Sequence, residues 1–186
     1  REWKENEDRR NSMTAQYEDF GKWNEILKPV IESELMEWSL RQVEDEYGNG
    51  RFVLPVKSKL FQAFQDCDPS TFKCIMLGLE PYPQVSYASG VAFGTPENII
   101  SIPLALRNIM AEVERSHNAL VLDPDVTLYS WSRQGVLLLN SSLTVVKEKP
   151  GSHFHIWNTL VASMIDFIVT EFPMHPLIVF GKQAEG

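Results

Sequence analysis

The sequence predicts an α/β domain in which helices cover both faces of a parallel sheet. Three short apolar runs, at residues 74–77, 136–139 and 177–180, show no alternation of apolar and polar positions. This pattern is typical of strands that are buried on both faces. Segments with apolar residues at helical spacing separate the runs. Strands that alternate with helices in this way favour a parallel sheet.

Three helices are predicted ahead of the first strand. Their apolar residues recur at helical spacing, so we expect the aromatic ones to lie in the core rather than around a ligand. Pro29 follows the first stripe, a turn at residues 47–50 precedes the third, and Asp68 and Pro69 follow the third. The stripes consist of Phe20, Trp23 and Leu27, then Ile31, Leu35 and Trp38, then Leu60, Phe61 and Phe64.

Two more helices are predicted between the strands. Each carries an apolar stripe at helical spacing, which predicts that one side of the helix packs against the sheet. The stripes consist of Leu106, Ile109, Met110 and Val113 in the fourth helix, and of Trp157, Leu160, Val161, Met164, Ile165 and Ile168 in the fifth.

Length and composition limit the class of protein. A chain of 186 residues with 44% hydrophobic and 23% charged residues predicts one globular domain and excludes a disordered or fibrous protein. No apolar run approaches the roughly 18 residues that span a bilayer, and no signal peptide opens the sequence, so we expect no membrane partner. With only Cys67 and Cys74, a disulfide framework is excluded. We therefore expect an intracellular protein of the cytoplasm or nucleus with two buried thiols.

The charge is unevenly distributed. The net charge is −8, and residues 1–50 carry thirteen acidic and seven basic side chains. The total charge disfavours a polyanionic partner, whereas the nearly neutral remainder of the chain leaves nucleic-acid binding open. Residues 1–13 predict a charged, flexible arm, either a frayed end or a tail for a replication or repair protein. Residues 14–186 predict one domain, which we expect to be incomplete at its carboxyl end.

Polar or glycine residues follow each of the three predicted strands. Residues 78–82 follow the first strand, Asn140 ends the second, and residues 181–182 follow the third. In open α/β sheets, ligands bind beyond the carboxyl ends of the strands. We therefore expect a carboxylate, an amide and a glycine turn to converge on one edge of the sheet.

Glu80 and Tyr82 lie in a stiff loop, because Pro81 and Pro83 restrict the backbone on either side of Tyr82. A carboxylate held at the edge of a sheet is a candidate general base, or a group that stabilises a developing cation. The alternative is a carboxylate that caps a helix or is solvated.

Phe93 and Asn140 are candidates for binding a planar ligand. Phe93 lies between Gly90 and Gly94, where the backbone can approach a ligand closely, and the alternative is an ordinary core phenylalanine. Asn140 ends an apolar run, and its buried amide needs partners for both its donor and its acceptor. It can read the edge of a nucleobase, or it can cap local backbone.

Four motifs, in order and at matching separations, resemble those of the family-1 uracil-DNA glycosylases. That family carries G-Q-D-P-Y-H, A-H-G-L-x-F, G-V-L-L-L-N and a Ser-His pair. This chain has G-L-E-P-Y-P at 78–83, A-S-G-V-A-F at 88–93, G-V-L-L-L-N at 135–140 and S-H at 152–153. The resemblance spans residues 20–186. It implies three α/β/α layers around a central, mostly parallel four-stranded sheet.

The resemblance also implies an activity and its residues. Uracil is flipped out of single- or double-stranded DNA and its N-glycosidic bond is hydrolysed, which leaves an abasic site for base-excision repair, with no metal and no cofactor. Phe93 would stack on the base, and Asn140 would bind its pairing edge. Tyr82 would exclude the methyl group of thymine, and backbone near Leu79 would bind a carbonyl. Glu80 would orient the water and stabilise the cationic sugar.

The resemblance further implies contacts with the DNA backbone by Ser152, His153 and Lys182. This chain departs from the family pattern at several positions: Glu80 replaces Asp, Pro83 and Ser89 each replace His, and Ala105 replaces a phosphate-binding Ser. The family's H-P-S-P-L segment, which carries the leaving-group His, would follow residue 186. These departures support an alternative, a glycosylase fold with weakened catalysis that serves as a DNA-binding or replication scaffold. A glycosylase for another base would be expected to differ at Tyr82 or Asn140.

Overall fold

The computed structural model describes residues 20–118 and 124–180. Its central feature is a parallel sheet made of the three predicted strands: β2, Cys74–Gly78; β3, Val136–Asn140; and β5, Leu177–Val179. The strand order is β3-β2-β5, with β2 in the middle. The α/β class and the parallel sheet are thus confirmed. A fourth parallel strand, which the resemblance implied, is not among the described residues.

Six α-helices lie in the described ranges. They are α1, Asn24–Ile31; α2, Glu34–Gly48; α3, Gln62–Asp66; α4, Leu104–His117; α5, Tyr129–Arg133; and α6, Phe154–Glu171. The Ser33 hydroxyl accepts a hydrogen bond from the backbone N–H of Met36 and so caps the start of α2. No helix in these ranges is long and apolar enough to span a bilayer.

The sheet separates two hydrophobic cores because successive side chains of a strand point to opposite faces. On one face, Ile75 and Leu77 of β2 belong to a core with residues of α1, α2, α3 and α6. On the other face, Met76 of β2 packs with Leu106 of α4 and with Leu128, which precedes α5. The three-layer α/β/α architecture is therefore confirmed.

A second, two-stranded antiparallel sheet lies outside the parallel sheet. Strand β1, Val53–Leu54, pairs antiparallel with β4, Val145–Val146. A turn at residues 147–152 connects β4 to α6. This turn lies against the loop that follows β2, since the backbone N–H of Glu148 donates to the carbonyl of Pro83 at 2.9 Å.

Trp38 does not lie in the core, contrary to the sequence prediction. It is 43% exposed, and the buried stripe of α2 is formed by Met36, Leu40 and Val43. The prediction was wrong because two overlapping sets of residues on α2 share helical spacing, and only packing against α6 selects one of them.

Strand β5 was predicted to be buried on both faces, but Leu177 and Ile178 are each more than 40% exposed. The strand is at the edge of the described sheet and pairs with β2 only. Cys67 is buried as expected, whereas Cys74 is half-buried, and both thiols are free. The predicted arm, residues 1–13, lies outside the described residues.

Candidate active site

The site is built at the carboxyl ends of β2 and β3, where Gly78 is paired with Asn140 in the parallel register. Two hydrogen bonds extend this pairing past the strands: Ser141 N–H donates to the Gly78 carbonyl, and Ser142 N–H to the Leu79 carbonyl, each at 2.9 Å. The loop that leaves β2 is therefore attached to the segment that leaves β3. This attachment brings residues more than sixty positions apart in sequence to one edge of the sheet.

A cavity of about 470 Å³ lies at this edge. Its volume is within the range of small-molecule binding sites. All five residues that the sequence assigned to catalysis and uracil binding line it, so the predicted carboxylate and amide meet at this edge. The glycine turn expected with them, at residues 181–182, lies outside the described residues. The lining comprises Leu79, Glu80, Tyr82, Phe93, Ala105, Asn108, Ile109, Glu112, Asn140 and Phe180.

Phe93 is held in an unusual backbone conformation. Its φ is +64°, in the left-handed region that a residue with a side chain rarely adopts. The Tyr82 hydroxyl donates to the Phe93 carbonyl at 3.1 Å, and the Phe93 ring meets Phe180 edge to face at 5.2 Å between centroids. Backbone strain of this kind persists only where neighbours impose it, and it is concentrated at functional sites. The ring is thus held as part of the cavity wall.

Ser89 stabilises the loop that carries Phe93. Its buried hydroxyl donates to the Gly94 carbonyl at 2.9 Å and accepts from the Val91 N–H at 3.3 Å. Ser89, which stands where the resembling family has His, is therefore a structural residue that closes residues 89–94 into a compact loop.

Asn140 presents a buried amide to the cavity. It is 5% exposed, and its side chain has no hydrogen-bond partner within residues 20–118 and 124–180, so it does not cap local backbone. The absence of a side chain at Gly78 makes room for it, because a Cβ there would lie 2.6 Å from Asn140 Oδ1 and 3.2 Å from the Phe93 ring. A buried amide that the described residues leave available is suited to a ligand that carries a donor beside an acceptor.

Glu80 is half-buried and is held by a backbone group. Its Oε2 accepts a hydrogen bond from the N–H of Gly151 at 2.8 Å. Burial raises the pKa of this carboxyl group, and the Gly151 hydrogen bond opposes that rise. Glu80 is therefore neither a helix cap nor a freely solvated side chain. A fixed carboxylate of raised pKa can accept a proton from water or face a developing positive charge.

Tyr82 forms a neutral wall of the cavity. Burial raises the pKa of its phenol to about 12, so the hydroxyl keeps its proton and donates to Phe93. Its ring also meets Tyr87 at 6.0 Å between centroids. Because the ring is held at both its edge and its hydroxyl, it limits the size of the planar group that can enter.

Four lining residues were missed by the sequence reasoning: Asn108, Ile109, Glu112 and Phe180. Asn108 and Glu112 share one face of α4 with Ala105, a helical spacing that sequence alone does not assign to a ligand. Glu112 is exposed and paired with Arg115, whose hydrogen bonds lower the pKa of the carboxyl group. Phe180 was expected as the last residue of a buried strand and instead borders the cavity.

Of the three residues expected at the DNA backbone, Ser152 and His153 are not among the residues that line the cavity. Ser152 accepts a hydrogen bond from the Val146 N–H at 2.8 Å and so closes the turn before α6. His153 is 1% exposed, and its Nδ1 lies 2.7 Å from Thr144 Oγ1. A direct phosphate contact by His153 is therefore incorrect for this structure, because the turn directs the ring into the protein. Lys182 lies outside the described residues.

His153 and His155, two residues apart in the sequence, lie in different surroundings. His155 is exposed whereas His153 is buried. The parts of the chain that the structure describes contain no cluster of three or more His, Cys, Asp or Glu side chains able to hold a metal ion.

The chain is similar to several curated proteins. It is 31% identical over 163 residues to the uracil-DNA glycosylase of Francisella philomiragia, a match that covers 87% of this chain and 74% of that protein. It is 34% identical over 164 residues to the uracil-DNA glycosylase of Mesomycoplasma hyopneumoniae, covering 88% and 71%. The match to the varicella-zoster virus uracil-DNA glycosylase, at 30% identity, covers 88% of this chain and 53% of the viral protein. No protein-family model matches the chain.

Solved structures share the fold. The mimivirus uracil-DNA glycosylase has a TM-score of 0.74 at 22% identity, over 85% of this chain and 66% of that one. A mimivirus UNG variant in complex with UGI has a TM-score of 0.81 at 24% identity, over 89% and 62%. The structures establish the architecture, and the sequence identity to the two bacterial relatives extends over more than two thirds of their length. On that evidence the chain belongs to the uracil-DNA glycosylase family.

Proposed function

We propose that this protein is a monofunctional DNA glycosylase that hydrolyses the N-glycosidic bond of uracil flipped out of DNA. The observation that carries the proposal is the meeting of Glu80, Tyr82, Phe93 and Asn140 around one cavity. Binding a planar base requires aromatic rings and an amide, which Tyr82, Phe93 and Asn140 provide. Cleaving its bond to the sugar requires a carboxylate, which Glu80 provides.

Recognition of the base would fall to Asn140, Phe93 and Tyr82. The free amide of Asn140 can donate to one carbonyl of uracil and accept from the ring N–H beside it. The Phe93 ring provides a stacking surface, and base–aromatic stacking contributes about 1–3 kcal/mol. Tyr82 would lie against C5 of the base, where the methyl group of thymine would clash with the phenol ring. Uracil lacks that methyl group and fits.

Cleavage would depend on Glu80 in its deprotonated form. As the bond to the base lengthens, positive charge develops on the sugar, and a nearby carboxylate stabilises it. The same carboxylate can orient the attacking water and accept its proton. Backbone N–H groups around Leu79 are candidates to bind a carbonyl of the departing uracil anion.

Contacts with the rest of the DNA would come from other residues. Lys182 is proposed as a phosphate contact that replaces a hydroxyl with a charge. Ser152 is proposed as a second phosphate contact, since its oxygen accepts from the Val146 N–H and its hydroxyl proton can be donated to a phosphate oxygen. The acidic residues 1–50 are proposed as the surface for a basic replication or repair partner. Because the substrate is DNA, we expect the protein to act in the cytoplasm or nucleus.

The test is release of uracil from a single-stranded oligonucleotide by the full-length protein. A single-stranded substrate removes the cost of opening the duplex, so the assay tests the cavity itself. Glu80→Gln is expected to lower the rate by about 10²–10⁴-fold, and Asn140→Ala by about 10²-fold. Asn158→Ala, an exposed asparagine on α6, is the matched control and should retain full activity.

Two outcomes would contradict the proposal. Glu112 carries the other carboxylate of the cavity, so a loss in Glu112→Gln as large as in Glu80→Gln would remove the catalytic assignment from Glu80. No uracil release from well-folded protein that still binds the oligonucleotide would support the alternative, a scaffold with the glycosylase fold. The assembled cavity argues against that alternative, because a scaffold has no need for a thymine-excluding ring beside a base-reading amide.

A further inference from the structure

The turn at residues 147–152 holds the loop that carries Glu80 at two points. Gly151 N–H donates to Glu80 Oε2 at 2.8 Å, and Glu148 N–H donates to the Pro83 carbonyl at 2.9 Å. Gly151 has a φ of +77°, the left-handed conformation that glycine adopts readily. The turn thus provides one donor to each end of the loop, and one of the two acceptors is the proposed catalytic carboxylate.

The turn is closed by its own hydrogen bonds. Val146 N–H donates to Ser152 Oγ at 2.8 Å, and Lys149 N–H donates to the Val146 carbonyl at 2.9 Å. These bonds connect the start of the turn to its end. The turn is anchored at its start, where the Lys147 N–H donates to the Phe52 carbonyl at 2.7 Å, and at its end by the residue that follows, His153.

His153 is hydrogen-bonded towards α6 through a buried polar chain, and its Nε2, which has no hydrogen-bond partner among the described residues, faces α2. The indole N–H of Trp157 on α6 donates to Thr144 Oγ1 at 2.7 Å. Since that oxygen already accepts one bond, its own proton is available to His153 Nδ1, which lies 2.7 Å away. The ring proton is then assigned to Nε2, which faces Glu46 Oε2 on α2 at 3.5 Å.

Glu46 is itself fixed, because Arg51 Nη1 donates to the same carboxylate at 2.8 Å. The charged and titratable groups that face the His153 ring are Glu46, Arg51 and His155. Burial lowers the pKa of His153, which favours the neutral ring that this arrangement requires. With 1% of its surface exposed, His153 is shielded from solvent, and it is not among the residues that line the cavity.

We propose that His153 is a positioning residue for catalysis: it holds the turn at residues 147–152 where the Gly151 N–H fixes the Glu80 carboxylate. This inference rests on the proposed function. Glutamate has one rotatable bond more than aspartate, so a free Glu80 would distribute its carboxylate over more positions. A misplacement of about 1 Å can cost roughly 10²-fold in rate. The Gly151 N–H, held in place by His153 through the turn, restricts the Glu80 carboxylate to one position.

A double-mutant cycle with uracil release as readout tests the proposal. His153→Ala is expected to lower kcat by about 10–10²-fold with a smaller change in KM, because Glu80 is the proposed catalytic group, whereas the base-binding Phe93 and Asn140 are held by other parts of the fold. His153→Asn keeps an acceptor for the Thr144 hydroxyl and should restore most of the rate. In a Glu80→Gln background, His153→Ala should cause no further loss, since its effect passes through Glu80.

Ser39→Ala is the matched control for the cycle. The Ser39 hydroxyl is also buried, and it donates to the Ile156 carbonyl at 2.9 Å across the α2–α6 contact, but it has no link to Glu80. Any loss in this variant should be the same in both backgrounds. Equal losses for His153→Ala in both backgrounds would show a general structural role and overturn the proposal.

Two further experiments keep the test decisive. If His153→Ala does not fold, Ser152→Ala opens the turn at a half-buried position, and its loss in kcat should show the same dependence on Glu80, whereas loss of a phosphate contact would appear in KM. Amide exchange of Gly151, followed by NMR, needs no enzymatic activity: exchange should quicken in His153→Ala and hardly change in Ser39→Ala. Unchanged Gly151 exchange in His153→Ala would overturn the proposal even if the wild-type protein released no uracil, an outcome that would separately contradict the proposed function.

Discussion

Oxygen Oε2 of Glu80 lies 2.8 Å from the backbone nitrogen of Gly151, a residue 71 positions later in the chain. This hydrogen bond joins the loop after β2 to the turn before α6. The direction of the carboxylate is therefore determined by two elements that fold onto each other, not by the loop alone. Glu80 replaces the aspartate of the resembling family, and its additional methylene lets the carboxylate reach the turn.

Glu80→Asp is accordingly expected to lower activity, although it restores the family's residue. A side chain shorter by one methylene would withdraw the carboxylate by roughly 1.5 Å and break the bond to Gly151, with an expected loss of about 10–10²-fold in the single-turnover rate. Glu171→Asp, an exposed glutamate at the end of α6, is the control. An aspartate variant as active as the wild type would show that the Gly151 contact has no catalytic value.

The pH dependence of activity should reflect the burial of Glu80. Burial raises the pKa of its carboxyl group, and the proposed chemistry needs the deprotonated form. The acidic limb of kcat/KM is therefore expected at a higher pH than the ordinary glutamate pKa would give. The measurement is the pH profile of uracil release from a single-stranded oligonucleotide. The limb should be missing in Glu80→Gln, and an unchanged limb there would assign it to another group.

The raised pKa of Glu80 should also affect the stability of the folded protein, because the charged form needed for activity is the form that burial disfavours. Between the ordinary glutamate pKa and the raised value, the folded protein binds more protons than the unfolded chain, so stability falls as pH rises through that window. Above the window, Glu80→Gln is expected to be more stable than the wild type while being far less active. Urea unfolding at several pH values measures this difference. A variant less stable than the wild type at neutral pH would contradict the expectation.

Tyr82→Ala is expected to release thymine, which the wild-type protein should not do. Removing the ring opens the cavity wall where the methyl group of thymine would otherwise clash, while loss of the hydroxyl bond to Phe93 also lowers uracil release. Tyr82→Phe keeps the ring and loses only that bond, so it should remain specific for uracil. Thymine release would be measured from matched oligonucleotides. Its appearance in the Phe variant would show that the hydroxyl, rather than the ring, excludes thymine.

Gly78→Ala is expected to abolish uracil binding. The new Cβ would lie 2.6 Å from Asn140 Oδ1, so the amide must move out of the position from which it reads the base. Gly48→Ala is the control, because a Cβ at Gly48 meets nothing within 4 Å and the residue ends α2. That variant should be neutral or more stable by about 0.5–1 kcal/mol. Normal KM in Gly78→Ala would contradict the assignment of Asn140.

Local patterns were sufficient for most of the fold. The apolar runs at 74–77, 136–139 and 177–180 became β2, β3 and β5, and the stripe beginning at Trp157 became the buried face of α6. These predictions hold because strand and helix periodicity arise within a few residues of the backbone. Trp38 was misassigned, since spacing alone does not state which side of a helix meets the core.

The residues of the site also fall into those that local sequence predicts and those that depend on tertiary packing. Glu80, Tyr82, Phe93 and Asn140 could be selected because a strand end, a proline-bound loop and a glycine-flanked ring are local features, and the family motifs marked the same positions. The inward orientation of the His153 ring could not be predicted from the sequence. It depends on Thr144, Trp157 and Glu46, whose separation in space is decided by how α2 and α6 pack.

By itself, therefore, the sequence determined the α/β class, the order of the strands along the chain and the residues at their carboxyl ends. Only the tertiary structure decided that Gly151 donates to Glu80, that Phe180 borders the cavity and that His153 is buried. The physical reason is the range of the interactions. Periodicity and turn chemistry act between near neighbours in the chain, whereas these contacts join segments that only packing brings together.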